Sequence, residues 1–132
     1  MKLLLDTHTL LWAIGKTDEL SARVIREIRD TNNEVLVSAV SLWEIALKHS
    51  IGKLLINFEI QDIPEYCGDM GFELIPLEPA DAMSCPRLPQ ENGHKDPFDR
   101  MLVCQCIKHE YVLVSREAKT EMYKESGLKC IW

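Results

Sequence analysis

Asp6, Glu44, Asp99 and Glu117 each stand beside a short apolar run, and that recurrence is the chemical signal of this chain. Asp6 closes Lys2-Leu3-Leu4-Leu5, and Glu44 lies just past Glu34-Val35-Leu36-Val37-Ser38. Asp99 opens the helix-like run Phe98-Asp99-Arg100-Met101-Leu102-Val103, and Glu117 follows Tyr111-Val112-Leu113-Val114-Ser115. In an α/β chain with a parallel sheet all strands end on one edge, so residues just beyond different strands converge there. Gathered carboxylates repel one another unless a cation sits among them, and hard divalent ions take oxygen ligands. The pattern predicts a metal-dependent phosphodiester enzyme.

The elements that must position these acids follow from apolar runs and caps. Residues 2–5 read as a buried strand, the kind found in parallel sheets. A helix follows from Thr7 to Ile14, stopped at Gly15, and Ser21 is a good N-cap for Ala22–Asp30. A second strand is expected at 34–38. Ser41 then caps a helix from Leu42 to Ser50, ended near Gly52. Leu54-Leu55-Ile56 reads as extended, 61–70 as a helix, 72–75 as a third strand, and a short helix follows Pro79. Residues 84–95 form the clearest loop, and Asp96-Pro97 starts a helix that runs to His109. A fourth strand at 111–115, a helix at 117–124 and an edge strand at 129–132 complete the chain. With no repeat, linker or low-complexity tract, residues 1–132 are expected to form one domain.

A length of 132 residues is enough to bury a core without staples. The five cysteines (67, 85, 104, 106 and 130) contain no CxxC, and the four histidines (8, 49, 94 and 109) contain no HxxxH. Reduced thiols in a cytoplasm are expected, rather than a disulfide framework or a zinc site. Three leucines broken by Asp6 do not make a signal peptide, and no stretch approaches the roughly 20 apolar residues of a membrane span. The net charge is −6. Without Asp6, Glu44, Asp96, Asp99 and Glu117, 16 acids face 15 bases, so the excess is what a metal centre would neutralise. Charge therefore neither excludes a nucleic-acid substrate nor supplies an electrostatic footprint for one.

Taken singly, each acid also has a structural reading. Asp6 can cap the helix at Thr7, and Glu44 sits three after Ser41, a capping-box spacing. Asp96 can cap the helix at Pro97, and Glu117 can serve a helix dipole. Trp12 and Trp43 lie in apolar helical runs and are expected in the core, with base stacking as the rival role for them and for Trp132. His8 is expected to pack or to support Asp6. Arg87, His94, Lys95, Arg100 and Arg116 flank the acids and are candidate phosphate contacts, with ion pairing as the rival role for Arg100 and Arg116.

Four segments in register resemble the PIN domains, and the VapC-type toxins of bacterial toxin–antitoxin pairs in particular. They are Leu4-Leu5-Asp6-Thr7-His8, Ser41-Leu42-Trp43-Glu44-Ile45-Ala46, His94-Lys95-Asp96-Pro97-Phe98-Asp99-Arg100-Met101-Leu102 and Val114-Ser115-Arg116-Glu117. The resemblance implies a three-layer α/β/α domain with a central, mainly parallel sheet of four to five strands. It also implies Mg²⁺- or Mn²⁺-dependent cleavage of RNA, homodimers, and inhibition by a VapB-like antitoxin. Asp6 and Glu44 match the first two acids of the family, and alignment selects Asp99 over Asp96 as the third. The fourth position departs from the usual Thr-x-Asp, reading Ser115-Arg116-Glu117. On this basis Asp6 and Asp99 are the expected principal metal ligands, with Glu44 and Glu117 completing the pocket directly or through water. Thr7 and Ser115 are expected to support the carboxylates, with Asp96 as the alternative third acid.

Competing readings are weaker. A haloacid-dehalogenase-like phosphatase needs an acid two residues after Asp6, where His8 stands, and a receiver-type phosphoacceptor needs an acidic pair that Leu5-Asp6 lacks. No GxxxxGK[ST] or GxGxxG loop is present. A catalytically inactive partner-binding module and a nuclease acting on DNA stay open. An antitoxin is expected to lay a helix in an apolar groove made by exposed positions of the first two helices, around Leu11, Ile14 and Ile25, and to aim a basic residue at the carboxylates.

Overall fold

In the computed structural model, which describes residues 1–85, 88 and 96–132 (Lys119 by its backbone alone), the apolar runs form five strands. These are β1 (Lys2–Leu5), β2 (Glu34–Ser38), β3 (Glu73–Ile75), β4 (Val112–Val114) and β5 (Lys129–Ile131). They make one parallel sheet in the order β3-β2-β1-β4-β5, with Leu4 in register with Leu36 on one side and Leu113 on the other. The α-helices are α1 (Thr7–Gly15), α2 (Ala22–Arg29), α3 (Ala39–Ser50), α4 (Ile63–Asp69), α5 (Pro79–Ser84) and α6 (Pro97–His109).

Alternation along each strand serves two cores, which is why the strands read as unbroken apolar runs. Leu3, Leu5, Val35, Val37 and Val114 pack with Leu10 of α1, Val24 of α2 and Ile63 of α4. On the other face Leu4, Leu36 and Leu113 pack with Leu102, Val103 and Cys106 of α6 and with Tyr123. The result is a three-layer α/β/α arrangement. Leu3, Leu4 and Leu5 are wholly buried, and each such side chain stabilises by roughly 1.5–3 kcal/mol.

The chain winds outward from β1 to β3, then crosses back to place β4 on the other side of β1. The winding reverses between β1 and β4, and it is at such a switch point, beyond the carboxyl ends of the strands, that ligands bind in open α/β sheets.

Several boundaries differ from expectation. The third helix begins at Ala39, where β2 ends, because Ser38 caps it by accepting from the Val40 N–H (3.1 Å). Leu54-Leu55-Ile56 joins no strand, and a 3₁₀ turn at Ile60–Asp62 precedes α4. The helix expected at 117–124 is a 3₁₀ segment, Ala118–Ser126, ended by Gly127 at φ 101°. The expected 84–95 loop lies mostly outside the described residues, but Ser84 still belongs to α5. All five cysteines are free. No helix among the described residues is long and apolar enough to cross a membrane.

Candidate active site

Asp6 leaves β1 at the switch point. Its backbone N–H donates to the Val114 carbonyl (3.1 Å), and its Oδ1 accepts from the Thr9 N–H (2.8 Å). Asp6 therefore does cap α1, as the plain structural reading requires, but one oxygen engaged in capping leaves the other for chemistry. Ser115 follows β4 directly, and its Oγ accepts from the Glu117 N–H (3.1 Å), folding Glu117 back over the sheet edge. Helix α6 returns to β4, so its first turn, carrying Asp99, lies above the same edge. Asp6, Asp99, Ser115, Glu117 and Thr120 together line a cavity of about 10 Å³, room for one water-sized body.

Glu44 approaches from α3. Because the helix starts at Ala39 and not Leu42, Glu44 lies in mid-helix and cannot be the reach-back member of a capping box at Ser41. Instead Ser41 and Glu44 are buried. Thr7 Oγ1 lies 2.6 Å from Glu44 Oε1, to which it donates, and 3.2 Å from Ser41 Oγ. The other oxygen, Oε2, is held by the ammonium of Lys48 one turn on. Burial pulls the Lys48 pKa down, but the Glu44 carboxylate, then Asp96 and Asp99, outweigh it and leave it raised.

The electrostatic centre is Asp99. Its carboxyl is pushed from an ordinary 3.8 up to about 7, first by burial and then by Asp96, Glu44, Asp6 and Glu117. The other three expected acids, and Asp96, thus all act on Asp99 at one edge of the sheet. Asp96 itself caps α6, its Oδ1 accepting from the N–H groups of Phe98 (2.9 Å) and Asp99 (3.2 Å). The donors are carboxylate and hydroxyl oxygens, the hard set that suits Mg²⁺ or Mn²⁺ rather than zinc. Among the described residues no group of three or more His, Cys, Asp or Glu side chains is already closed up for a metal.

The PIN-domain family profile matches residues 3–124 of the chain. The chain belongs to the PIN-domain family. The PIN chain is similar to Ribonuclease VapC22 of Mycobacterium tuberculosis (strain ATCC 25618 / H37Rv), at 23% identity covering 98% of this chain and 97% of that protein. Among solved structures it superimposes on VapBC2 from Rickettsia felis, bound to a DNA fragment from their promoter, with TM-score 0.69, 20% identity and coverage of 99% and 98%. VapBC-1 from nontypeable Haemophilus influenzae gives TM-score 0.71 at 15% identity, covering 99% and 97%.

Around the carboxylates of this PIN domain, other expectations change. Arg100 is not placed to meet a phosphate: it is 5% exposed, with Nη1 3.2 Å from the Tyr123 hydroxyl and Nη2 donating to the Leu88 carbonyl (2.8 Å). Through Tyr123 the guanidinium ties α6 to the 3₁₀ segment. Arg116 stays at the site, over the Trp12 ring (4.4 Å) and 3.5 Å from Glu19 Oε2. With Asp6, His8, Trp12 and Glu117 it lines a cleft of about 180 Å³. Arg87, His94 and Lys95 lie outside the described residues.

Trp43 is not core: it is 63% exposed, with its ring edge-on to Phe98 (5.0 Å). Trp12 is half-buried against Trp132 (5.8 Å), and exposed His8 packs on Trp12 (5.7 Å). Leu11 is buried rather than exposed, while Ile14 and Ile25 are half-buried. The sequence reading missed Lys48, although a lysine four residues after a glutamate on a helix is a recognisable pair. It also missed wholly buried Asp81, held by His109 Nε2 (2.9 Å) and Lys108 Nζ (3.3 Å), whose partners give no local sequence signal.

Proposed function

We propose that this PIN protein is a Mg²⁺- or Mn²⁺-dependent endoribonuclease, the toxin of a toxin–antitoxin pair, acting in the cytoplasm as a homodimer. The observation that carries the reading is Asp99, whose proton affinity is raised to about 7 by burial and by four neighbouring carboxylates. Such a cluster is costly without a cation and useful with one. Asp6 and Asp99 are the principal ligands, Glu44 and Glu117 complete the set directly or through water, Thr7 fixes Glu44, and Ser115 fixes Glu117. A bound divalent ion supplies acidified water and countercharge for phosphodiester hydrolysis. Arg116, beside the cleft, is placed to meet a phosphate of the strand.

A VapB-like antitoxin is the partner suggested by the relatives. A groove of about 480 Å³ lined by Leu11, Leu54, Ile56 and Phe58 shares His8 and Trp12 with the carboxylate cleft. A helix laid there can carry a basic residue to the acids. The direct test offers labelled single-stranded RNA, structured RNA and DNA to the antitoxin-free protein in Mn²⁺, Mg²⁺ or EDTA. Cleavage of RNA with metal and none in EDTA is expected. Preferential cleavage of DNA would overturn the substrate class.

A further inference from the structure

Outside the carboxylates, the least explained feature is exposed Trp43, packed on half-buried Phe98 and joined to the carboxylates by a lysine. Trp43 and Phe98 come from different helices, and each immediately precedes one of the acids, Glu44 and Asp99. The rings meet edge to face at 5.0 Å with an interplanar angle of 70°, and Trp43 keeps 63% of its surface exposed. Lys48 bridges the two features: its ammonium is paired with Glu44 and lies 5.8 Å from the centre of the Phe98 ring. Its side chain is 34% exposed, and an ammonium has three donors, so pairing with one carboxylate oxygen does not exhaust it.

We propose that Trp43, Phe98 and Lys48 form a subsite for one nucleotide of single-stranded RNA beside the carboxylates, Trp43 stacking on the base and Lys48 meeting a phosphate. The proposal rests on the ribonuclease reading above and adds which strand form the site accepts and what holds it. A tryptophan face binds any base, but only an unpaired one, because the bases of a duplex cover one another. The lysine answers a difficulty of that reading, since an acidic centre in a chain of net charge −6 repels RNA.

Exposed Leu47 and Ile51 continue along α3 from Trp43, and a second copy of the chain is the rival occupant. Seating a copy on Trp43 would also cover the part of Lys48 still in water, and desolvating a charge is costly. An RNA strand instead brings a phosphate to pair with Lys48.

The test measures binding of a short, unstructured, labelled RNA by fluorescence anisotropy on the Asp99→Asn protein, which keeps the strand intact, and KM and kcat on the otherwise wild-type chain. Trp43→Ala should weaken affinity and raise KM about tenfold, in line with loss of one base–aromatic stack, with Trp43→Phe recovering most of it. Lys48→Met should reduce the slope of log affinity against log salt by about 0.7, the value for one phosphate contact on a single strand. Neither variant should change affinity for a duplex. Wild-type cleavage with RNA affinity untouched by either substitution would overturn the subsite alone. Neither cleavage nor binding of any RNA would overturn both readings. Sedimentation serves as the control: unchanged RNA affinity with dimers lost in Trp43→Ala would assign the ring to a subunit contact and overturn the proposal.

Discussion

Replacing Asp99 by asparagine should make the metal-free protein more stable, not less. The carboxyl is raised from 3.8 to about 7 by burial and by its acidic neighbours. At about 1.4 kcal/mol per tenfold change in proton affinity, that displacement corresponds to about 4 kcal/mol. Asp99 is only partly buried, so solvent screening discounts the figure to about 2 kcal/mol. Because the folded-state pKa lies above the unfolded one, the favourable contribution is fully present below about 3.8 and is lost as pH rises through about 7. Urea unfolding in EDTA should therefore show Asp99→Asn more stable than wild type by about 2 kcal/mol at pH 8, with the gap gone near pH 4. Divalent metal should reverse the order, since an ion at a hundredfold excess over its Kd stabilises by about 2.7 kcal/mol and the variant lacks a principal ligand. An asparagine variant no more stable than wild type at pH 8 in EDTA would refute the convergence of the acids on Asp99.

Three further outcomes are expected. Thr7→Val removes the hydroxyl that holds Glu44 and should weaken Mn²⁺ binding about tenfold by calorimetry, the effect of losing a group that orients a ligand. Arg100→Met deprives the Tyr123 hydroxyl and the Leu88 carbonyl of a donor and should cost about 2–3 kcal/mol in urea unfolding, with no change in the salt dependence of RNA binding. For Asp81, burial raises the carboxyl pKa, but His109, Lys108 and the Glu78 N–H outweigh it and leave it lowered. Its contribution is therefore present above about pH 4 and lost as pH falls through the lower folded value. Asp81→Asn should cost about 2 kcal/mol at pH 7, discounted because Lys108 and His109 are about a third exposed, and the gap should close in thermal unfolding on acidification.

The parts of this chain legible in its sequence are those fixed by local pattern. Strands buried on both faces read as short apolar runs, so β1, β2 and β4 stood out, and with them the acids that follow. The start of α3 was misread because Ser41 and Glu44 have a capping-box spacing, whereas Ser38 at the end of β2 caps first. That displacement turns Glu44 from a helix-end device into a buried group facing Thr7. Trp43 looks like core because it lies in an apolar run of α3, and only tertiary packing shows which side meets the sheet. Arg100 looked like a phosphate contact for the converse reason: sequence places it beside Asp99, but one step along a helix turns a side chain to another face. Asp81 was invisible because its partner His109 lies 28 residues away.

The most direct test of the central claim compares RNA cleavage by wild type, Asp99→Asn and Asp96→Asn in Mn²⁺, Mg²⁺ and EDTA, with metal affinity measured on the same three proteins. Metal-dependent cleavage and tight metal binding should be kept by wild type and Asp96→Asn and lost together in Asp99→Asn. Loss in Asp96→Asn with retention in Asp99→Asn would contradict the assignment, and cleavage undiminished in EDTA would contradict the metal-dependent mechanism itself.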